Sequence, residues 1–332
     1  MSIITRALVT GANGFIGSNL CAALLRHGIA TRGLILPGTD AKEIAALGVE
    51  VVEADITKPL DAAGFTGVSH VFHLAAIPLD WSPLELFMHV NFQGTQNVLD
   101  AAVAAGAVHF VHMSSLAVHP YTGYSNGDEN TPRGWKINGY TITKNLTEDF
   151  LQNQRERIMI TVIRPGIMPY GPGDRLSMPG ILDAITRGIY RHVGGGKTRM
   201  CVSYVGNLAN GMILAAQREG ASGEAYILAD EIITWRELLD TIADVFGKPA
   251  PQGSIPFALA FTAAVVMETV WRVLPLKGVP MLTRYRIDLF RGDLVFSSVK
   301  AKRELGYAPA VTLREGMKLT REWYLKQGII SE

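Results

Sequence analysis

A short apolar run from Ile4 to Val9, with β-branched residues in it, leads into Thr10 and then Gly11, Ala12, Asn13, Gly14, Phe15, Ile16 and Gly17. Few folds can use that order. The run reads as a buried parallel strand. Ser18 to His27 follows, with Leu20, Ala23 and Leu24 at helical spacing. Strand, glycine turn and helix together are the context of a dinucleotide fingerprint, in which glycines let the backbone turn tightly against a pyrophosphate. The helix N-terminus adds free N–H groups and a positive dipole. The spacing here is G-x-x-G-x-x-G rather than G-x-G-x-x-G.

A second pattern lies near the middle of the chain. Tyr140, Thr141, Ile142, Thr143 and Lys144 place a phenol and an ammonium four residues apart, one above the other on a helix. A free phenol titrates near about 10 and is a poor base at neutral pH. A neighbouring cation stabilises its anion. Ser115, twenty-five residues earlier, supplies a hydroxyl that can hold a substrate oxygen against the phenol. Together the three suit proton transfer in an alcohol/ketone pair.

The sequence resembles the extended short-chain dehydrogenase/reductase family, also described as epimerase/dehydratase-like, from end to end. The resemblance rests on TGANGFIG at 10–17, ADIT at 54–57, HLAA at 73–76, VNFQGTQNVL at 90–99, HMSS at 112–115, YTITK at 140–144 and RPGIMPYGPGD at 164–174. It implies that Ser115, Tyr140 and Lys144 are catalytic, with Ser115 favoured over Ser114 by its place in the motif. His119 stands where the family has an aromatic residue, a departure that bears on the loop and not on the serine. The same resemblance assigns cofactor contacts to Gly11, Asn13, Gly14, Phe15, Ile16 and Gly17, to Asp55 and Ile56 at the end of the third strand, and to Leu74, Ala75 and Ala76. It adds Asn91, Ser114, Tyr140, Lys144, Pro165 and Gly166. Asp55 would sit near the adenine amino group, Asn91 would support the active-site strand, and the backbone at Pro165 and Gly166 would hold the nicotinamide amide.

The remaining pattern agrees with an α/β, Rossmann-type, doubly wound parallel sheet. Strands are expected at 4–9, 30–36, 49–53, 69–74, 107–113 and 158–163, and helices at 15–27, 40–47, 82–104 and 139–155. Residues 1–170 read as the dinucleotide-binding core. Residues 171–332 read as a smaller, mainly helical substrate lobe, with short strands at 199–203 and 224–228 and some segments returning to the sheet. Hydrophobic residues make up 48% and charged residues 18%, enough for a sizeable core. A net charge of +1 without a basic block argues against nucleic acid as a partner. Cys21 and Cys201 have neither metal-ligand nor disulfide spacing, and no metal is expected. Cys21 reads as core filler. A reducing cytoplasm is the default for such a chain, and its first strand starts too early for a signal peptide. The paired long helices allow a homodimer.

The cofactor is expected to be NAD or NADP. NAD is favoured because nothing near the second strand, Thr31 to Pro37, clearly binds an extra phosphate, although Arg32 and Lys42 lie close in sequence. Leu116 and Ala117 stand where dehydratases of the family place an Asp-Glu pair. Gly166, Ile167, Met168 and Pro169 replace the asparagine that epimerases use for a diphosphate. The segment 254–276 is apolar, uncharged from 255 to 267, and too short to span a bilayer, which takes about 20 residues. It is expected to form a buried helix or a hydrophobic lid. Glu268, Arg272, Arg284 and Arg286 read as solvated or paired surface charges. LTRYRIDLF at 282–290, the stretch 296–309 and Trp323 look like the 3β-hydroxysteroid dehydrogenase branch. The expected activity is hydride transfer between nicotinamide and a bulky apolar secondary alcohol or ketone. The alternatives are a nucleotide-sugar 4-epimerase and a non-catalytic NAD(P)-binding protein. No transmembrane segment is expected, and peripheral membrane contact is left open.

Overall fold

The computed structural model describes residues 3–274 and 276–331. Its main sheet is built from β1 (Arg6–Thr10), β2 (Ala30–Ile35), β3 (Glu50–Glu53), β4 (His70–His73), β5 (His109–Met113), β6 (Met159–Pro165) and β7 (Glu224–Leu228). The strands lie in the order β3-β2-β1-β4-β5-β6-β7, every neighbouring pair parallel. The order reverses direction between β1 and β4. In open α/β sheets that switch point opens a crevice beyond the strand ends, where ligands bind.

The register is set by burial. In β1, Ala7, Leu8 and Val9 are fully buried, as a central strand covered on both faces requires. Helix Phe15–Arg26 packs Leu20, Cys21, Ala23 and Leu24 into the core on one side. On the other side, Val98, Leu99 and Ala102 of helix Gly94–Ala104 join Leu8, Val71 and Phe110. The expected strands and helices of the first half are found within a few residues of their predicted ends.

One expected element differs in its interior. The stretch predicted as a helix over 82–104 is α-helical at Leu84–Phe87 and Gly94–Ala104, but Met88–Gln93 between them is a π-helix. Such widened turns are frequent at functional sites. Here the widened turn carries Asn91.

Five of the other strands form a second sheet, and His192–Val193 pairs with Ser254–Ile255 apart from it. Glu231–Thr234, Arg199–Tyr204, Leu294–Phe296 and Tyr124–Gly127 pair in that order, and Met168–Tyr170 pairs with Arg199–Tyr204. Beneath them Met178, Leu182, Trp235, Leu238 and Tyr324 form a second apolar core.

Of the two forms expected over 254–276, a buried helix or a hydrophobic lid, the buried helix is not found: Phe257–Val273 is a surface helix. It buries only Ala260, Ala264 and Glu268. Those residues recur every four positions and form one narrow stripe. Leu259, Val265, Val266, Val270 and Val273 are exposed, whereas Phe257 and Phe261 are half-buried against Val193 and Ile287, and Met267 and Trp271 are half-buried as well. Glu268 is likewise not a surface charge: it is buried, and Arg284 and Arg272 pair with it at 2.8 and 3.3 Å.

Candidate active site

The glycine loop closes on itself through backbone contacts. Gly11 adopts φ +65°, which only glycine takes freely, and a Cβ there would stand 3.0 Å from the Ala75 Cα. A Cβ at Gly17 would fall 2.1 Å from the Gly11 carbonyl oxygen. Gly14 is exposed at the N-cap of helix Phe15–Arg26, which has no side-chain cap. The open first turn can therefore receive an anion. Asn13 bridges to the loop after β2, its amide donating to Thr39 Oγ1 at 2.9 Å and the Asp40 carbonyl at 3.1 Å. Phe15 and Ile16 are half-buried in the first helical turn.

A chain of short polar contacts fixes the end of β4 beside this loop. Thr10 Oγ1 accepts the N–H groups of Leu74 and Ala75, both at 3.1 Å, and contacts His73 Nδ1 at 2.8 Å. His73 Nε2 meets Thr95 Oγ1 at 3.0 Å, and Thr95 donates to the Asn91 carbonyl at 2.7 Å. The buried Asn91 side chain grips Ile77, accepting its N–H at 2.7 Å and donating to its carbonyl at 3.2 Å. It also donates to Thr143 Oγ1 at 3.3 Å. Asn91 thus ties the segment after β4 to the helix that carries Tyr140 and Lys144. Ala76 lies half-buried between the two anchors.

That helix, Gly139–Gln152, starts with a reciprocal capping box between Asn138 and Thr141. A Cβ at Gly139 would come within 2.2 Å of the Phe87 ring, so glycine lets the helix start press against Leu84–Phe87. Tyr140 falls in the first turn, where the helix dipole favours negative charge. Ser115 follows β5, and its hydroxyl accepts the Ala117 N–H at 3.0 Å. Burial raises the Tyr140 phenol above its ordinary value, and its hydrogen bond with Ser115 offsets part of the rise.

Lys144 Nζ donates to the Met113 carbonyl at 2.6 Å and lies 5.8 Å from the centre of the Tyr140 ring. Burial lowers the ammonium to about 8, with the Glu148 carboxylate acting the other way. The Tyr–Lys spacing predicts a lowered phenol. The structure raises it instead, because desolvation outweighs every other influence and the ammonium is aimed at the Met113 backbone.

Two functional-site neighbours escape the motif reading. Glu148, one helical turn beyond Lys144, accepts from Ser114 Oγ at 2.5 Å and from Arg164 at 3.0 and 2.6 Å. Arg133 adds a contact at 3.3 Å. Burial alone would raise the Glu148 carboxyl, but Arg164 above all, then Ser114 and Arg133, keep it below its ordinary value. The signal was present as a Y-x-x-x-K-x-x-x-E series, but its cationic partner lies sixteen residues further on. The Ser114 side chain is therefore spent inside the protein, which leaves Ser115 as the hydroxyl beside the phenol.

The second group is an aromatic wall. Tyr121, Trp135 and Tyr285 stand with ring centres 4.4 to 5.7 Å apart, and the Tyr121 and Tyr285 hydroxyls are 3.5 Å apart. Burial raises both phenols, and Tyr140 lies close enough to add to the rise in each. Tyr285 is held there by a clamp. Asp80 accepts from Thr283 at 2.5 Å and from Arg286 at 2.7 Å.

The other sequence-predicted residues are placed as follows. β3 ends at Glu53, and Asp55 lies in the turn after it, lowered by hydrogen bonds from Thr57 at 2.7 and 3.0 Å. Ile56 is buried, and its carbonyl accepts from Asn97 at 2.7 Å. Pro165 ends β6. The Gly166 N–H is already used, with Ser203 Oγ at 2.8 Å and the Leu228 carbonyl at 3.2 Å as acceptors. His119 takes up the Pro132 carbonyl at 3.1 Å and stacks on Phe296 at 5.1 Å. Arg32 is buried along β2, paired with Glu50 at 2.7 Å and donating to the Gly64 carbonyl at 2.8 Å.

A parallel sheet with this strand order, a glycine cradle at its switch point and a Ser–Tyr–Lys set beyond β5 defines a nicotinamide-dinucleotide-binding enzyme fold. The cradle fits that cofactor, since Gly11 and Gly17 let the turn close on backbone while Gly14 stays exposed at the uncapped helix N-terminus. The chain belongs to the NAD dependent epimerase/dehydratase family, whose profile matches residues 7–229. It is similar to a 4-hydroxy-2-methyl-3-oxo-4-farnesyl-3,4-dihydroquinoline-1-oxide ketoreductase of Stigmatella aurantiaca. The two are 33% identical over 96% of each chain. It is also similar to 3beta-hydroxysteroid-dehydrogenase/decarboxylase isoform 1 of Arabidopsis thaliana, at 32% identity over 94% of this chain and 78% of that one. Among solved structures, that of gox2253 superposes with a TM-score of 0.83 at 29% identity, covering 98% of this chain and all of the other. The cofactor of the family is NAD, and its members and these relatives make the chain an NAD-dependent oxidoreductase or epimerase enzyme.

Proposed function

We propose that the protein is an NAD-dependent dehydrogenase/reductase acting on a bulky apolar secondary alcohol or its ketone. The observation that carries this reading is the wall of Tyr121, Trp135 and Tyr285 beside Tyr140. Stacked rings gain roughly 25 cal/mol for each Å² of apolar ligand they cover. They offer little to a sugar diphosphate, whose charges need cations or helix N-termini. The two relatives above, by their names, act on a farnesylated ring ketone and on a hydroxysteroid.

In this reading Tyr140 passes the proton to or from the substrate oxygen. Ser115 hydrogen-bonds the same oxygen. Lys144 places a cation below the phenol and is free to turn from the Met113 carbonyl to a ribose hydroxyl. Glu148, Arg164 and Ser114 hold the end of β5 and the helix in register. The bound nicotinamide supplies the hydride chemistry. A phenol raised above its ordinary value is protonated at neutral pH and can donate to a ketone oxygen, and its anion takes the proton back in the reverse reaction. Arg32 is taken up by Glu50 and backbone carbonyls, which supports NAD over NADP.

The test is a panel of hydroxysteroids, long-chain 3-oxo acids and prenylated ring ketones beside UDP- and GDP-hexoses, followed by nicotinamide absorbance and sugar chromatography. Turnover of an apolar carbonyl with inert sugars is the expected result. Epimerisation of a UDP-hexose with inert apolar carbonyls would sink the proposal.

A further inference from the structure

We infer that the outer face of helix Phe257–Val273 and the segment after it dock onto an anionic lipid surface. Leu259, Val266, Val270 and Val273 are all exposed, Val273 at 74%. They are separated by seven, four and three residues, steps that return to one face of a helix. Leu276 and Met281 continue the exposed apolar strip beyond the helix, Met281 at 68%. The opposite face is the stripe of Ala260, Ala264 and Glu268 that seats the helix on the protein. An apolar face of this extent without an intramolecular partner marks an interaction surface.

Charge chooses the occupant. Between Thr269 and Ile287 the chain carries Arg272, Lys277, Arg284 and Arg286 and no acidic residue. Glu268 and Asp80 pair with Arg272, Arg284 and Arg286, and the adjoining Asp288 lies near Arg284 and pairs with Arg291, so five positive charges face three negative ones, a local excess of two. Lys277 is exposed beside the strip. The half-buried Trp81 and Trp271 stand near its edge, with Arg272 5.5 Å over the Trp81 ring. Apolar side chains ringed by cations and tryptophans match the headgroup boundary of an anionic bilayer. A second copy of the chain fits less well. A two-fold contact sets a patch against itself, and here that would bring cation against cation.

The geometry also fixes the mode. A 17-residue helix is roughly 26 Å long, short of the ~30 Å hydrocarbon core. No helix among the described residues is long and apolar enough to cross a membrane. The helix therefore lies in the surface plane. The docking does not depend on the proposed chemistry, although Tyr285 of the aromatic wall follows the strip by four residues after Met281.

The experiment is sedimentation of the full chain with vesicles of phosphatidylcholine alone and of equal phosphatidylcholine and phosphatidylglycerol. Binding at least tenfold stronger to the anionic vesicles, and weakened by 0.5 M salt, is expected. The double variant Val266→Glu with Val270→Glu should lose at least tenfold in bound fraction, and Lys277→Glu about fivefold on anionic vesicles alone. As a check independent of those charges, Val270→Cys carries a polarity-sensitive fluorophore. The native Cys21 and Cys201 are buried and stay unlabelled. Its emission should shift to the blue on anionic vesicles. A wild type that stays in the supernatant with both compositions overturns the inference, as does an unshifted probe. A dimer formed without lipid and broken by the double variant would assign the face to a second copy instead.

Discussion

The glycine loop and the part of the molecule that holds Tyr285 are built on different principles. At the glycine loop, backbone meets backbone: the spaces beside Gly11 and Gly17 are closed to any side chain by main-chain atoms. In the second, the cap, helix Phe257–Val273 and helix Arg284–Asp288 are attached through side chains, by an alanine stripe and by the pairs of Glu268 and Asp80. A backbone contact tolerates no substitution, whereas a side-chain attachment can be exchanged. In the proposed function the first region holds the cofactor that every turnover shares, and the second selects the substrate.

The sharpest test of that contrast lies inside the loop itself. Gly17→Val puts a Cβ against the Gly11 carbonyl at 2.1 Å and should cost more than about 4 kcal/mol, seen as loss of the cooperative melt. Gly14→Val meets only a 3.1 Å contact and should stay folded while losing NAD binding by calorimetry. Equal behaviour of the two variants would mean that the glycines do not divide packing from ligand contact. Next in size, Tyr140→Phe should lower kcat by roughly 10²–10⁴-fold with NAD affinity kept. Near-normal turnover would remove the phenol from the mechanism.

At the cap, Asp80→Ala deletes the acceptor of Thr283 and Arg286. It should cost about 1–3 kcal/mol in stability and raise KM for apolar substrate more than it lowers kcat. An unchanged KM would separate the clamp from the aromatic wall. Of a different kind is a pH dependence shared by several buried histidines, small near neutral pH and growing as the pH falls. Burial lowers His70 and His109 to about 4 and His73 to about 3, and His119 likewise to about 4. The folded state keeps these rings neutral while the unfolded chain binds protons below about 6.5. Stability should therefore be flat above pH 6.5 and fall steadily from there to about pH 4. Urea midpoints that stay level across that window would contradict the burial of these rings.

Much of the first region is legible in the sequence because its determinants are local. Glycine spacing, the β-branched run before it and the Tyr–Lys interval each act within one or two turns of chain. The π-helical turn at Met88–Gln93 was not legible, since it keeps the same apolar pattern as an α-helix and is revealed only by where Asn91 must reach. Arg32 could not be assigned until Glu50, on the neighbouring strand, was seen to occupy it. Tyr121 and Tyr285 meet across 164 residues, and no periodicity reports such a pairing. The apolar run at 255–267 gave a helix correctly but not its surroundings. Hydrophobicity states that a side chain avoids water, not which neighbour will cover it.

The aromatic wall draws its three rings from two loops and a short helix far apart in sequence, whereas Tyr140, Lys144 and Glu148 ride on successive turns of one helix. A change at position 121, 135 or 285 can therefore be tried by mutation without disturbing that helix. A lineage carrying this scaffold can alter its diet one ring at a time while its chemistry is inherited whole.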